Sequence, residues 1–345
     1  MAEKLAITVC DATLRDGSHA YSHQITLDQI RAYAAAAEGA GFDYLEVGHG
    51  NGLGASSLQV GLSKETEGEM LKAARGCLKK TRLSVHVMPG YATIQREIVG
   101  AIEAGVDLFR VGAHCTEADV TQRHIGHVRA AGKEAWGILM MTHMVEAEVL
   151  LEEAKKMQSY GAQGIVLMDS AGASLPDQVR AKVGLLAERL DVPVGYHAHE
   201  NLGLGVANAL AALDAGARIL DGSSRGFGAG AGNVKLELVA AVLHRLGYPS
   251  GVDLYKALDA SELAAKLFAG SLPESSPVSI ISGLAGVFSG FAKPVNRVSK
   301  QLGIDPRDLF IELGRRKVVG GQEDLILEAA QELARKKSPA TQERP

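Results

Sequence analysis

The chain has 345 residues, of which 46% are hydrophobic and 22% charged, and its formal net charge is −4. Such a balance, without blocks of like charge, argues against a nucleic-acid partner, and no apolar run approaches the ~18 residues of a membrane span. The three scattered cysteines form no C-x-x-C pair, and the N-terminus lacks an apolar signal region, which together predict a cytoplasmic protein with reduced thiols.

Short apolar runs alternate with amphipathic helical runs over the first 250 residues. The predicted strands are Leu5–Cys10, Tyr44–Val47, Leu83–Met88, Leu108–Val111, Ala135–Met140, Ile165–Met168, Val192–Tyr196 and Ile219–Leu220. A helical run follows each of them, and this repeat predicts an α/β fold, a (β/α)8 TIM barrel over residues 1–250. The alternative is an open doubly wound sheet, but no G-x-G-x-x-G motif follows the first strand.

The sequence changes character after about Leu246. Two clusters of helix-breaking residues, Gly247–Gly251 and Pro273–Pro277, interrupt the chain there, and the remainder is mainly helical. We therefore expect a smaller helical C-terminal domain over residues 251–337. The polar tail, residues 338–345, is expected to be disordered.

Two histidines at the end of the seventh predicted strand indicate a metal site. His197 and His199 are two residues apart, so in a strand both side chains point to the same side. Asp16 follows the first predicted strand and reaches the equivalent end of the barrel. A divalent metal needs such a carboxylate beside the two imidazoles, with open positions left for substrate. The alternative, that His197 and His199 are unrelated polar residues, is weaker once Asp16 is included.

Polar residues concentrate at the carboxyl ends of the predicted strands, where TIM barrels carry their active sites. They include Arg15, Asp16, His19, Glu46, His49, Arg110, His114, Met140–His143, Asp169, Ser170, His197, His199, Asp221 and Ser223. Glu46, Arg110 and Asp221 are also typical of buried ion pairs within a barrel, and Asp169 with Ser170 of a helix cap. His86 lies inside the third strand and is interpreted as a core or supporting histidine.

Arg15 has two interpretations. It could form a structural pair with the adjacent Asp16. A cation beside a metal-binding carboxylate also suits an anionic 2-oxo acid, whose enolate needs positive charge as it forms.

These motifs resemble the superfamily of hydroxymethylglutaryl-CoA lyase and isopropylmalate synthase, and most closely the 4-hydroxy-2-oxovalerate aldolases. Two motifs are shared across that superfamily: L-R-D-G, at Leu14–Gly17, and H-x-H, at His197 and His199. The stretches similar to the aldolases are Leu14–His19, Gly48–Ser56, His114–Val120, Tyr196–Gly203 and Glu312–Asp324, and they run nearly end to end. Among them, the G-G-Q-E-D segment and the Asp16–His19 context are specific to the aldolases.

The resemblance implies a role for each matching residue. Asp16, His197 and His199 are then ligands of Mn²⁺ by preference, with Mg²⁺ and Co²⁺ as alternatives, and Arg15 stabilises the enolate. His19 is the general base for the C4 hydroxyl, and Ser170 contacts the substrate. The family works with an acylating aldehyde dehydrogenase that receives the aldehyde through a channel, and Gly320 with Gly321 matches the channel segment. A homo-oligomer or hetero-oligomer is expected.

One departure from the family pattern concerns the aldehyde. A tyrosine of the family is replaced by Phe288, which has no hydroxyl, and Gly290 lacks a side chain. The stretch 85–90, which contains His86, also differs from a leucine-rich family segment. We therefore expect a remodelled pocket in which Phe288 contacts a larger or aromatic aldehyde.

The sequence thus predicts a metal-dependent carbon–carbon lyase that cleaves or forms a 4-hydroxy-2-oxo acid, from pyruvate or a close 2-oxo acid and an aldehyde. Two alternatives remain: a Claisen-type acyl-CoA synthase of the same superfamily, and a non-catalytic partner subunit of a dehydrogenase. Retention of the metal-site and base residues argues against the second.

Overall fold

Eight parallel strands close into a barrel, in sequence order, in a computed structural model that describes residues 5–268 and 272–337. The strands are β1 (Thr8–Leu14), β2 (Tyr44–Val47), β3 (Arg82–Val87), β4 (Leu108–His114), β5 (Glu134–Met140), β6 (Ile165–Asp169), β7 (Val194–Ala198) and β8 (Ile219–Gly222). β1 pairs with both β2 and β8, which closes the sheet. The predicted TIM barrel is confirmed. The predicted disordered tail, residues 338–345, lies outside the described residues.

Helices follow the strands and cover the outside of the barrel. They are α1 (Leu27–Ala40), α2 (Glu67–Arg75), α3 (Val99–Glu103), α4 (Gln122–Ala130), α5 (Ala147–Ser159), α6 (Pro176–Arg189), α7 (Gly205–Asp214) and α8 (Leu236–Leu246). Local sequence explains their ends. In α1, for example, the Thr26 side chain accepts from the Gln29 amide in a capping box, and Gly41 adopts the left-handed conformation (φ 75°) that ends the helix.

β1 begins at Thr8 rather than at the predicted Leu5, and it continues past Cys10 to Leu14. The apolar run stops at Cys10 because Asp11 and Thr13 are polar, yet both are fully buried. Asp11 accepts hydrogen bonds from the Thr13 amide at 2.8 Å and from the Tyr33 hydroxyl at 2.6 Å. Satisfied buried polar groups of this kind let a strand continue where its sequence is no longer apolar.

Five helices form the remainder of the described chain: α9 (Leu254–Leu267), α10 (Pro277–Leu284), α11 (Ala292–Leu302), α12 (Pro306–Arg315) and α13 (Asp324–Lys337). The last four enclose a hydrophobic core of their own, which includes Phe291, Val295 and Phe310. This arrangement confirms the expected helical C-terminal domain. α9 instead packs against α1 and α8, and Ala257 and Ala264 belong to the barrel core. The boundary at residue 250 stays a prediction.

Within the described part of the chain, no helix has both the length and the apolar character needed to cross a membrane.

Candidate active site

Three side chains from two strands meet inside the mouth of the barrel. Asp16 follows β1 in a short 3-10 turn, His197 lies in β7, and His199 follows β7. One potential ligand atom from each lies within 4.8 Å of the others, and all three residues are buried. The structure therefore brings together the three residues expected to bind a metal.

The imidazole nitrogens of this cluster fit a metal ion. His197 Nδ1 lies 3.2 Å from Asp221 Oδ2. The Nδ1–H group donates to this carboxylate, so Nε2 carries the lone pair that can bind a metal. His197 Nε2 and His199 Nδ1 are buried and have no hydrogen-bond partner in the described part of the chain. Buried polar atoms rarely stay unpaired, and a carboxylate behind a ligating histidine is a recurrent support of metal sites.

Asp16 is held in place by two donors. Its Oδ1 accepts from Arg15 Nη1 at 2.8 Å, and its Oδ2 accepts from Asn233 Nδ2 at 2.8 Å. Burial alone would raise the pKa of Asp16, but the charges of Arg15 and His199 hold that pKa well below its usual range. Asp16 is therefore a carboxylate, as a metal ligand must be. Asn233 was not predicted from the sequence.

Arg15 joins the cluster to a buried charge network. Its Nε donates to Glu46 Oε2 at 2.6 Å, and Glu46 and Asp221 both pair with Arg110. The structure therefore places the ion pairs left open by the sequence directly below the site. Arg15 Nη2 is buried and makes no hydrogen bond with the residues that the structure describes, which leaves this nitrogen as a donor for a substrate oxygen. Arg15 both pairs with Asp16 and keeps this free donor.

His19 ends the 3-10 turn that begins at Asp16. Its ring occupies the space that a Cβ of Gly50 would fill, so a residue other than glycine at position 50 would displace it. Burial lowers the pKa of His19 to about 4, against the opposing effect of Asp16. A neutral imidazole at physiological pH can accept a proton.

A cavity of about 1080 Å³ separates the barrel mouth from the C-terminal helices. His19 and Gly228 line it on the barrel side, and Phe288, Lys293 and Leu327 line it on the other. Lys293 in α11 donates to the backbone oxygen of His19 and, at 2.9 Å, to Ser22 Oγ. The C-terminal domain thus contacts the turn that carries His19.

The Phe288 ring packs edge-on against Phe291, with ring centroids 5.6 Å apart. It also fills the space beside Gly290, where a Cβ would collide with it. The extra room expected from Gly290 is therefore occupied by Phe288 itself. Gly320 also lies beside the ring, because a Cβ at that position would be 3.6 Å from Phe288 Cδ1. The neighbouring Gly321, which has a positive φ of 96°, is part of the same exposed turn between α12 and α13.

Ser170 and Asn201 connect the barrel to the segment that carries Phe288. The backbone oxygen of Ser170 accepts from the Ser289 amide at 3.0 Å, and Asn201 Nδ2 donates to Ser289 Oγ at 2.9 Å. Ser170 Oγ itself accepts from the Met141 amide at 3.2 Å. Ser170 is thus buried at the domain contact, and its contact with substrate stays a prediction.

Other residues at strand ends lie outside the metal cluster. His49 stacks on His23 with centroids 3.7 Å apart, and His143 contacts the Gly286 backbone oxygen at 2.9 Å. His114 Nδ1 forms a hydrogen bond with Thr116 Oγ1. Asp169 accepts from the Ser174 amide at 3.0 Å, in the loop before α6, whose N-cap is Leu175.

Comparison with known proteins decides the family. A family model described as HMGL-like matches residues 6–264, and one described as a DmpG-like communication domain matches residues 273–335. The 4-hydroxy-2-oxovalerate aldolase of Pectobacterium atrosepticum is 56% identical over 97% of this chain and 97% of its own length. The protein of that name from Spirochaeta aurantia is 54% identical over 95% of this chain and 96% of its own length. The chain belongs to the 4-hydroxy-2-oxovalerate aldolase family. It is therefore a carbon–carbon lyase.

Solved structures share the fold at lower identity. The carboxyl transferase domain of Rhizobium etli pyruvate carboxylase, solved with pyruvate, superimposes with a TM-score of 0.81 at 17% identity, covering 97% of this chain and 61% of that one. The N-terminal domain of a putative aldolase from Bacteroides vulgatus gives a TM-score of 0.72 at 24% identity, covering 85% and 97%. These similarities concern the fold alone.

Proposed function

We propose that this protein is a divalent-metal-dependent aldolase that cleaves or forms a 4-hydroxy-2-oxo acid, with pyruvate or a close homologue and an aldehyde as the other reactants. The observation that carries the proposal is the buried cluster of Asp16, His197 and His199, whose two imidazoles present unpaired nitrogens. Mn²⁺ is the proposed metal, with Mg²⁺ and Co²⁺ as alternatives. Family membership supports the reaction type.

Asp16, His197 and His199 would hold the metal, since each offers a donor of the type that divalent metals bind. A divalent metal supplies Lewis-acid polarisation of a 2-oxo group and stabilises the negative charge that develops on it. Asp221 orients His197 through Nδ1, and Asn233 orients Asp16. These two residues therefore fix the ligands without being ligands themselves.

The protein's own residues account for the remaining steps. His19, as the general base, takes the proton of the C4 hydroxyl. The C3–C4 bond then breaks, its electron pair passes to the 2-oxo oxygen as an enolate, and the aldehyde forms at C4. Arg15 places its free Nη2 donor and its charge beside this oxygen. Protonation at C3 from solvent completes pyruvate, His19 returns its proton to solvent, and synthesis uses the same groups in reverse.

The C-terminal domain is proposed to bind an acylating aldehyde dehydrogenase in a hetero-oligomer. The match to a communication domain supports this partner. The cavity that contains His19 extends to Phe288, and Gly320 lies beside the Phe288 ring. We propose that the aldehyde leaves along this path, past Gly320 and Gly321. Co-expression followed by size-exclusion chromatography tests the complex; an aldolase that never co-elutes with a dehydrogenase encoded nearby would contradict it.

The aldehyde is proposed to be larger than acetaldehyde or aromatic, with its apolar or ring atoms in contact with Phe288. Support comes from the position of this apolar ring at the wall of the cavity, without a hydroxyl. Ser170 is proposed to contact the substrate.

The decisive experiment is metal removal. Protein stripped with a chelator and verified metal-free is assayed for cleavage of 4-hydroxy-2-oxovalerate, then reconstituted with Mn²⁺. Activity is expected only after reconstitution, and His199→Ala is expected to bind Mn²⁺ poorly, whereas His124→Ala on α4 serves as the matched control. Full activity of the metal-free protein would overturn the proposal, and turnover with acetyl-CoA instead of an aldehyde would favour a Claisen synthase.

A further inference from the structure

A third histidine of the barrel interior, outside the metal cluster, is enclosed by two glycines. His86 lies in β3 and is only 3% exposed. A Cβ at Gly112 would be 2.8 Å from His86 Cε1, so the absence of a side chain there leaves space for the imidazole. A Cβ at Gly52 would be 2.6 Å from the His86 backbone oxygen and 3.2 Å from Cδ2, so Gly52 lies against both the backbone and the ring.

One ring nitrogen of His86 is free to make a hydrogen bond. Its Nδ1 is buried and has no hydrogen-bond partner among the described residues. Burial, together with the charge of Arg15, lowers the pKa of His86 to about 3. The ring is therefore neutral and offers one donor and one acceptor. An unpaired atom of this kind, in a barrel that binds a small molecule, is available to a ligand.

The position of His86 identifies which part of the substrate could reach it. β3 lies across the eight-stranded barrel from β7, which carries His197. His86 lies against Gly52, and Arg15 Nη1 donates to the Gly50 backbone oxygen of the same loop at 3.2 Å, so the ring lies near Arg15. The metal cluster and Arg15 account for the two oxygen-bearing groups of the 2-oxo acid. The group left to contact His86 is a polar atom of the aldehyde half.

We infer that His86 is a specificity-determining residue that hydrogen-bonds the aldehyde half of the substrate, and that the protein selects aldehydes with a hydroxyl or similar polar group next to the carbonyl carbon. This inference rests on the proposed aldol chemistry and specifies its substrate class. It adds a polar contact to the apolar wall formed by Phe288.

Two aldehydes of equal size test this inference. Glycolaldehyde carries a hydroxyl where propionaldehyde carries a methyl group, so the ratio of their kcat/KM values, measured with pyruvate and Mn²⁺, isolates the hydrogen bond. The wild-type protein is expected to favour glycolaldehyde about tenfold, the effect of one hydrogen bond. His86→Leu is expected to remove this preference. His86→Asn, which keeps a polar group near the Nδ1 position, is expected to retain most of it.

Controls separate this inference from the proposed function. His127→Leu, on the half-buried face of α4, is the matched control and should keep the wild-type ratio. Exchange of the C3 protons of pyruvate in D2O, measured on the wild-type protein with Mn²⁺, reports enolisation without any aldehyde. If the C3 protons exchange but the two aldehydes have equal kcat/KM values, the role of His86 is refuted and the proposed aldolase function stands. Absence of both exchange and turnover would overturn the proposed function, and this inference with it. An unchanged ratio in His86→Leu would also refute the inference.

Discussion

His197 donates a hydrogen bond from Nδ1 to Asp221, 3.2 Å away, and the same carboxylate pairs with the buried Arg110. Replacing this carboxylate by an amide, Asp221→Asn, removes the charge that orients and polarises the imidazole. Loss of such a supporting group typically costs ~10–100-fold in metal affinity. We expect a loss of this size in a chelator-competition titration with Mn²⁺. Asp214→Asn, at the exposed end of α7, should bind metal normally, and equal affinities of the two variants would contradict the role of Asp221.

Gly50 allows the ring of His19 to lie beside it. Gly50→Ala would place a methyl group in the space of that ring and displace the proposed base. A misplacement of about 1 Å can cost ~10²-fold in rate, so kcat should fall by this order while Mn²⁺ affinity changes little. Gly39→Ala is the control, because its added methyl would meet no atom within 4 Å among the described residues outside its own helical turn. A Gly50→Ala protein with normal kcat would show that His19 is not the base or does not need this position.

Much of this architecture follows from sequence patterns that act over short distances. Alternating apolar strands and amphipathic helices predict the barrel, and the i, i+2 spacing of His197 and His199 predicts that they face one side. Asp16 follows from its place after β1. Patterns of this kind depend on neighbouring residues, so one sequence is enough to reveal them.

Other residues of the site depend on contacts between distant parts of the chain. Asn233 donates to Asp16 across 217 positions of sequence, and nothing near Asn233 indicates that partner. The sequence around Gly50 also gives no sign of its role, because that role comes from its contact with the ring of His19. The filling of the Gly290 space by Phe288 depends on a side-chain orientation that composition does not encode. Only the folded chain reveals these relationships.

Lys293 fixes the turn that carries His19 by donating to its backbone oxygen and to Ser22. Lys293→Met keeps the aliphatic stem and removes both hydrogen bonds. We expect kcat to fall by up to about tenfold through poorer positioning of the base, with Mn²⁺ affinity retained. Lys300→Met, an exposed residue of the same helix, should behave as wild type in steady-state assays. If both variants lose activity equally, the contact made by Lys293 has no specific role.

The lowered pKa of Glu312 should make the stability of the C-terminal domain depend on pH. Hydrogen bonds from Arg315 and Arg316 lower the pKa of Glu312 to about 2, below the ~4.3 of an unfolded glutamate. The resulting stabilisation is complete above the unfolded pKa and is lost as the pH falls towards the folded one. Between pH 6 and pH 3, thermal unfolding should therefore shift less in Glu312→Gln than in the wild type. Glu262→Gln, exposed on α9, should follow the wild-type curve; a parallel curve for Glu312→Gln would contradict this linkage.

Phe288 provides the last prediction, on the choice of aldehyde. Its ring lines the cavity shared with His19 and has no polar atom, so the preferred aldehyde should not rely on a hydrogen bond there. A polar group that loses its partner on burial costs about 1–3 kcal/mol. We therefore expect bulky or aromatic aldehydes to exceed acetaldehyde in kcat/KM. Phe288→Tyr restores a hydroxyl and should shift the preference towards acetaldehyde, while Mn²⁺ affinity and pyruvate enolisation change little.

The competing interpretation treats Phe288 as neutral packing, with acetaldehyde still the best acceptor. Measuring kcat/KM for acetaldehyde and benzaldehyde in both proteins distinguishes the two, because neutral packing requires the same preference ratio before and after the substitution.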